Sequence, residues 1–116
     1  MQKTNAMKKN HRLITYGTLS PGQINNHHLD AVSGKWTEGT VKGRLLDEGW
    51  GAELGFPGMV LDDSADFIDV FVLEAITLPE HWNRIDNFEG DGYTRVLTKV
   101  NTKDGHLDAY IYVVKQ

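Results

Sequence analysis

Two short segments, far apart in this chain, carry residue types that could do acid–base chemistry together. The first is Tyr16-Gly17-Thr18-Leu19, where the apolar run from Leu13 stops at a glycine and passes into the turn formers Ser20-Pro21-Gly22-Gln23. A strand that ends this way leaves a loop whose backbone N–H groups project from the end of a sheet. Such groups hold a carboxylate or a polarised carbonyl without any cationic side chain. The second is Asp86-Asn87-Phe88-Glu89-Gly90. Gly90 supplies a left-handed residue that ends a helix, which places Glu89 in the last helical turn. An acid there meets the negative end of the helix dipole, a penalty of a few tenths to about 1 kcal/mol, and Asp86 one turn earlier adds a like charge. Together with burial beside Phe88, these effects raise the Glu89 pKa above the ~4.3 of a free side chain. A carboxylate moved toward neutrality suits a general base that takes a proton from an amine near pH 7. Taken singly, each segment also fits a plain strand end or a solvated acid in a helix-terminating turn.

Composition narrows what else the chain could be. Its 116 residues fit one domain, large enough to bury a core without disulfides or metals. There is no cysteine, so thiolate ligands and cysteine nucleophiles are excluded. Net charge is −4, and Lys3, Lys8, Lys9 and Arg12 stand among the first twelve residues, leaving a body more acidic than the total. Nucleic-acid binding through a broad basic face is not expected. No run approaches the roughly 18 apolar residues that span a membrane, and the N-terminus has no apolar signal segment. A cytoplasmic protein with a mobile tail over residues 1–11 and a single domain over 12–116 is the resulting expectation.

Positioning the two segments falls to a small set of elements. A first strand is expected over Arg12–Tyr16, then a loop over Gly17–His28 with a helical turn starting at Asn26. Further strands are expected over Val41–Leu46, with Gly43 marking a bulge or close approach, Met59–Leu61 and Asp66–Ile76. Between them, Asp47–Gly58 carries four glycines along with Trp50, Phe56 and Pro57, and reads as an ordered loop folded onto the body. One helix starts at Thr77, where Thr77-Leu78-Pro79-Glu80 matches a capping box, and Trp82, Ile85 and Phe88 form its apolar face. Tyr93–Asn101 and His106–Val114 are strands of a hairpin turned at Asp104-Gly105. The sum is an α+β domain: a small mixed, mostly antiparallel β-barrel or curled sheet with one main helix.

Both segments, in order, carry a family resemblance. Tyr16-Gly17-Thr18-Leu19, then Pro21-Gly22-Gln23 and Asn26-His27-His28-Leu29, resembles the signature of the gamma-glutamylcyclotransferase-like (AIG2-like) proteins. Ile85-Asp86-Asn87-Phe88-Glu89-Gly90, with Gly92-Tyr93-Thr94-Arg95, is similar to that family's Leu-Asp-x-x-Glu-Gly and Tyr-x-Arg block. Ala109-Tyr110-Ile111-Tyr112-Val113 matches its last core strand. The resemblance implies a small barrel with a cavity between the loop and the helix end. It implies an enzyme that cyclises a γ-glutamyl group: the α-amine attacks the γ-carbonyl, leaving 5-oxoproline and a free amine. Glu89 would be the base, the N–H groups of Gly17, Thr18 and Leu19 would hold the carboxylate or oxyanion, and Tyr16 and Tyr110 would line the pocket. The expected partner is a small γ-glutamyl amine, amino acid or isopeptide, with no metal or organic cofactor. The alternative is a non-catalytic small-ligand binding module on the same fold.

The remaining reactive residues have plainer readings. Arg95 is expected to pair with an acid in a neighbouring strand, and Trp36 and Trp50 to pack. His27 and His28 are adjacent in a loop, with no further ligand at metal-binding spacing. The sequence departs from relatives at Asp69, where many carry glycine, which suggests an altered loop or a more open start to that strand. It departs again at Ser20, where relatives often have a longer side chain.

Overall fold

The computed structural model describes residues 7–46 and 58–115. Six strands dominate: β1 (Arg12–Thr15), β2 (Lys35–Leu46), β3 (Gly58–Leu61), β4 (Phe67–Glu74), β5 (Tyr93–Thr102) and β6 (Gly105–Val114). Their order is β3-β2-β4-β1-β6-β5, and β5 also pairs with β2. That last pairing closes five strands into a barrel, with β3 continuing the outer end of β2. All neighbours are antiparallel except β1 and β6, which run parallel with Leu13 opposite Tyr110 and Ile14 opposite Ile111. The fold is thus the expected α+β barrel with one main helix.

Strand alternation sorts the apolar side chains into two cores. Ile14, Val41, Met59, Val70, Val72, Val100, Ala109 and Ile111 point into the barrel. On the outer wall, Leu13, Leu73 and Tyr112 form a second layer with Leu19 of the loop after β1 and with Leu29, Leu78, Trp82 and Ile85 from the helical segments. The helix α1 (Trp82–Glu89) therefore packs against the outside of the sheet, and its final turn comes to rest beside the end of β1.

Several boundaries differ from expectation for identifiable reasons. β2 begins at Lys35, six residues before Val41. Its first half, Lys35-Trp36-Thr37-Glu38-Gly39-Thr40, is polar and half-exposed, so no apolar alternation marks it. Pairing with β4 all the way from Lys35 holds it instead. The same ladder runs unbroken through Asp69, opposite Thr40, so the strand does not open there. At Gly43 a Cβ atom would meet the Val60 carbonyl oxygen at 2.6 Å, which is the close approach of β2 to β3.

The capping box at Thr77 does not form. Thr77 is itself helical (φ −89°, ψ −1°), and its carbonyl already accepts the Glu80 N–H at 3.0 Å. A 3-10 turn, Leu78–His81, therefore precedes α1, and the hydroxyl has no first-turn donor to satisfy. Residues 8–11, assigned to the tail on sequence, hold a 3-10 turn (Lys9–His11) fastened to the body. The Trp82 indole donates to the Asn10 carbonyl at 3.1 Å, and the Ala75 N–H donates to that of His11 at 2.9 Å. The glycine-rich loop, including Trp50, lies outside the described residues apart from Gly58, which opens β3.

Candidate active site

β1 delivers the first segment. Beyond Thr15 the chain leaves the sheet, and the loop folds on itself: the Gly17 carbonyl accepts the Ser20 N–H, that of Thr18 the Asn25 N–H, and that of Leu19 the Asn26 side-chain amide. Thr18, Leu19 and Ser20 are buried, and the Ser20 hydroxyl donates to that of Thr15 at 3.0 Å. Gly17, Thr18 and Leu19, the residues expected to hold an anion, thus sit in a loop folded on itself at the end of β1.

Tyr16 points back across the barrel mouth. Its hydroxyl donates to the Tyr112 carbonyl at 2.6 Å and accepts the Met59 N–H at 3.2 Å, joining β1, β6 and β3. Burial pushes the phenol pKa well above its ordinary value, and the nearby Glu89 and Tyr93 add to that. Tyr16 is therefore a fixed, neutral group.

α1 delivers the second segment. The Gly90 N–H closes the last helical hydrogen bond to the Asp86 carbonyl at 3.0 Å, and Gly90 then turns the chain with φ 84° and ψ −176°. Glu89, one residue earlier, is partly buried, and burial pushes its carboxyl pKa up to about 7. Its charge bears on the hydroxyls of both Tyr16 and Tyr112, so α1, the loop and β6 meet at this carboxyl. Leu19 shares an apolar cluster with Ile85, against which Phe88 also packs.

Asp86 is not the like-charge neighbour that spacing suggests. Burial works against its ionisation, but hydrogen bonds from Arg95 and Tyr112 and the Arg95 charge outweigh that and hold its pKa below the ordinary range. The Arg95 fork spans both carboxylate oxygens, Nε to Oδ1 at 2.9 Å and Nη2 to Oδ2 at 3.2 Å. Arg95 thus pairs with an acid on the helix, not in a neighbouring strand. Tyr112 donates its hydroxyl to Asp86 Oδ1 at 2.5 Å. The desolvation of Glu89, not repulsion from Asp86, is what raises its pKa.

Tyr110 stands on the same face of β6 as Tyr112, as alternation requires, but reaches different neighbours. Its ring meets Trp82 edge-on at 5.7 Å and lies 5.1 Å from the Arg95 guanidinium. Tyr112 is the tyrosine joined to Asp86 and within reach of Glu89. Hairpin geometry held the clue: a two-residue turn sets Thr102 opposite Gly105, and counting back sets Arg95 opposite Tyr112. An open cleft of about 470 Å³ lies beside this pair, lined by Asp86, Gly90, Tyr93, Arg95, Tyr112 and Lys115 among others. His28 stacks on Phe88 with ring centres 4.3 Å apart.

The comparisons with known proteins decide the family. The profile of the gamma-glutamyl cyclotransferase, AIG2-like family matches residues 13–116. The chain belongs to that family. In structure it is similar to YkqA of Bacillus subtilis (29% identity, TM-score 0.71), covering 90% of this chain and 36% of YkqA. It thus spans about a third of that protein. It is also similar to the uncharacterized protein PH0828 of Pyrococcus horikoshii (27% identity, TM-score 0.58; 90% of this chain, 79% of that one). An AIG2-like protein of Mus musculus shares the fold at 14% identity and TM-score 0.68, over 90% of this chain and 76% of that one. No curated protein matches the chain in sequence. Among the described residues no helix is long and apolar enough to cross a membrane.

Proposed function

We propose that this chain is a γ-glutamyl cyclotransferase with Glu89 as its general base. The observation that carries the reading is a partly buried carboxyl, its pKa pushed up to about 7, set at the helix end beside the Tyr16 loop. A base for an α-ammonium works best with a pKa near the working pH, and burial alone provides it here.

The substrate's α-carboxylate or its developing oxyanion would lie on the N–H groups of Gly17, Thr18 and Leu19, with Tyr16 and Tyr112, the tyrosines near Glu89, beside it in place of Tyr110. Glu89 takes one proton from the α-ammonium. The freed amine attacks the γ-carbonyl, forming the ring C–N bond, and the carbonyl becomes a tetrahedral oxyanion. Collapse breaks the original amide C–N bond. The leaving nitrogen receives the proton held by Glu89 and the second proton of the attacking nitrogen, and departs as an ammonium. The attack is intramolecular, so holding the γ-glutamyl unit folded supplies most of the advantage and no side-chain nucleophile is needed.

The test is release of 5-oxoproline from a panel of γ-glutamyl amines, amino acids and isopeptides. Glu89→Gln is expected to lower kcat by about 100-fold or more, the usual worth of a positioned base. Undiminished turnover in that variant removes Glu89 from the role. Ligand-dependent thermal stabilisation with no product across the panel favours a binding module instead. For the active enzyme, kcat/KM rises with pH and levels off above about 7, because only the ionised carboxylate accepts the proton.

A further inference from the structure

Arg95 touches more of the site's frame than a surface ion pair needs. From β5 its fork binds both oxygens of Asp86 on α1. Its guanidinium lies over the Trp82 ring, with 4.3 Å to the centroid, and near the Tyr110 ring of β6. Tyr112 completes the arrangement by donating to the same carboxylate. One cation therefore ties the eight-residue helix to both strands of the hairpin at the turn that ends in Glu89. Asp86 and Glu89 are three residues apart on that helix, a spacing that brings side chains to within roughly 5–6 Å at Cβ.

We propose that Arg95 is a positioning residue for Glu89, clamping the last turn of α1 to the β5–β6 hairpin and neutralising the Asp86 carboxylate that would otherwise face Glu89 across one helical turn. The role in turnover rests on Glu89 being the base; the electrostatic part does not. The described groups near Glu89 come from several elements. Asp86 lies on its own helix, Tyr112 on β6, and Tyr16 at the end of β1 with Tyr93 of β5 near it. His28 comes from the 3-10 turn Asn26–Leu29 and stacks on Phe88, while Asp91 and Lys115 line the neighbouring cleft. Tyr16 and Tyr112, their phenols pushed up by burial, stay neutral through the range where a carboxyl titrates, so the Asp86–Arg95 pair, with Asp86 on the base's own helix, is the charge balance that substitution can tip.

The experiment is a ¹³C NMR titration of the Glu89 side-chain carboxyl, assigned with Glu89→Gln, alongside the pH profile of 5-oxoproline release. Arg95→Met strands the Asp86 charge and is expected to move the Glu89 midpoint up by about half a unit to one unit, as a charge at this separation does in a partly screened site. The double variant Arg95→Met/Asp86→Asn restores a neutral pair and returns the midpoint. Asp86→Asn alone leaves Arg95 unbalanced and moves it down. Arg95→Lys keeps the charge but not the fork, so the midpoint holds while kcat falls several-fold. A midpoint unmoved in both Arg95→Met and Asp86→Asn overturns the neutralising role, and full kcat in Arg95→Lys overturns the clamp. Should Arg95→Met fail to fold, Asp86→Asn and Arg95→Lys still decide both. Full turnover by Glu89→Gln would instead sink the proposed base and leave the NMR midpoints to judge Arg95 alone.

Discussion

A carboxyl kept partly neutral by burial leaves a mark on stability as well as on rate. The Glu89 pKa is about 7 in the folded chain, against 4.5 for an unperturbed side chain. Between those two values the folded state binds more protons than the unfolded one, so stability falls as pH rises through that window. The favourable contribution is complete below about 4.5 and gone above about 7. Glu89→Gln removes the penalty, so it should raise Tm at pH 8 relative to wild type and change it little at pH 5. The gain is bounded by about 3.5 kcal/mol, since each pKa unit is worth about 1.4. Equal shifts at both pH values would mean that Glu89 is not buried as described. Tyr16 makes a second residue-scale case. Its hydroxyl serves the Tyr112 carbonyl and the Met59 N–H, so Tyr16→Phe strands two polar backbone groups and should cost about 1–3 kcal/mol by urea denaturation. At this scale the sequence was informative but incomplete. The helix-terminating Gly90 made the position of Glu89 readable, whereas the partner of Arg95 depended on how α1 lies across the hairpin, which no local pattern records.

At the scale of elements, α1 is short and its ends are unequal. The Thr77 hydroxyl makes no capping hydrogen bond, and a 3-10 turn leads in. The C-terminal end, by contrast, is held by Gly90 and by the Arg95 fork on Asp86. Gly90 has φ 84° and ψ −176°, a combination almost confined to glycine, not the left-handed helical one expected at a helix end. Nothing lies within 4 Å of where its Cβ would sit. Gly90→Ala therefore tests backbone torsion without a steric clash. It should cost about 1–3 kcal/mol, and activity should fall further as the Glu89 turn shifts. Wild-type stability in that variant would show that the turn relaxes freely. Elements with strong signals, such as the hairpin, whose Asp104-Gly105 pair marks a turn observed at Lys103-Asp104, were legible to within a residue or two. The first half of β2 was not, because polar residues there earn their strand state from partners rather than from alternation.

For the whole molecule, the decisive contact is the seam. β2 meets β5 through only Gly39 opposite Thr102 and Thr40 opposite Asn101. A Cβ on Gly39 would stand 2.8 Å from the Asn101 carbonyl oxygen and 2.9 Å from a Val100 methyl, and the first of these is backbone that cannot step aside. Gly39→Val should pry the barrel open at this point, lowering stability by about 1–3 kcal/mol and speeding amide exchange in β2 and β5 ahead of β4. Uniform exchange across all strands would argue that the seam is not where the barrel is weakest.

β1 carries a different consequence. It lies between β4 and β6, and both partners come much later in the chain. A ribosome making this protein releases the Tyr16 loop early, with no sheet to belong to. The Tyr16 hydroxyl can find its Tyr112 acceptor only once β6 has been translated and slotted alongside β1, so the loop and the far hairpin are joined in one step and not piece by piece.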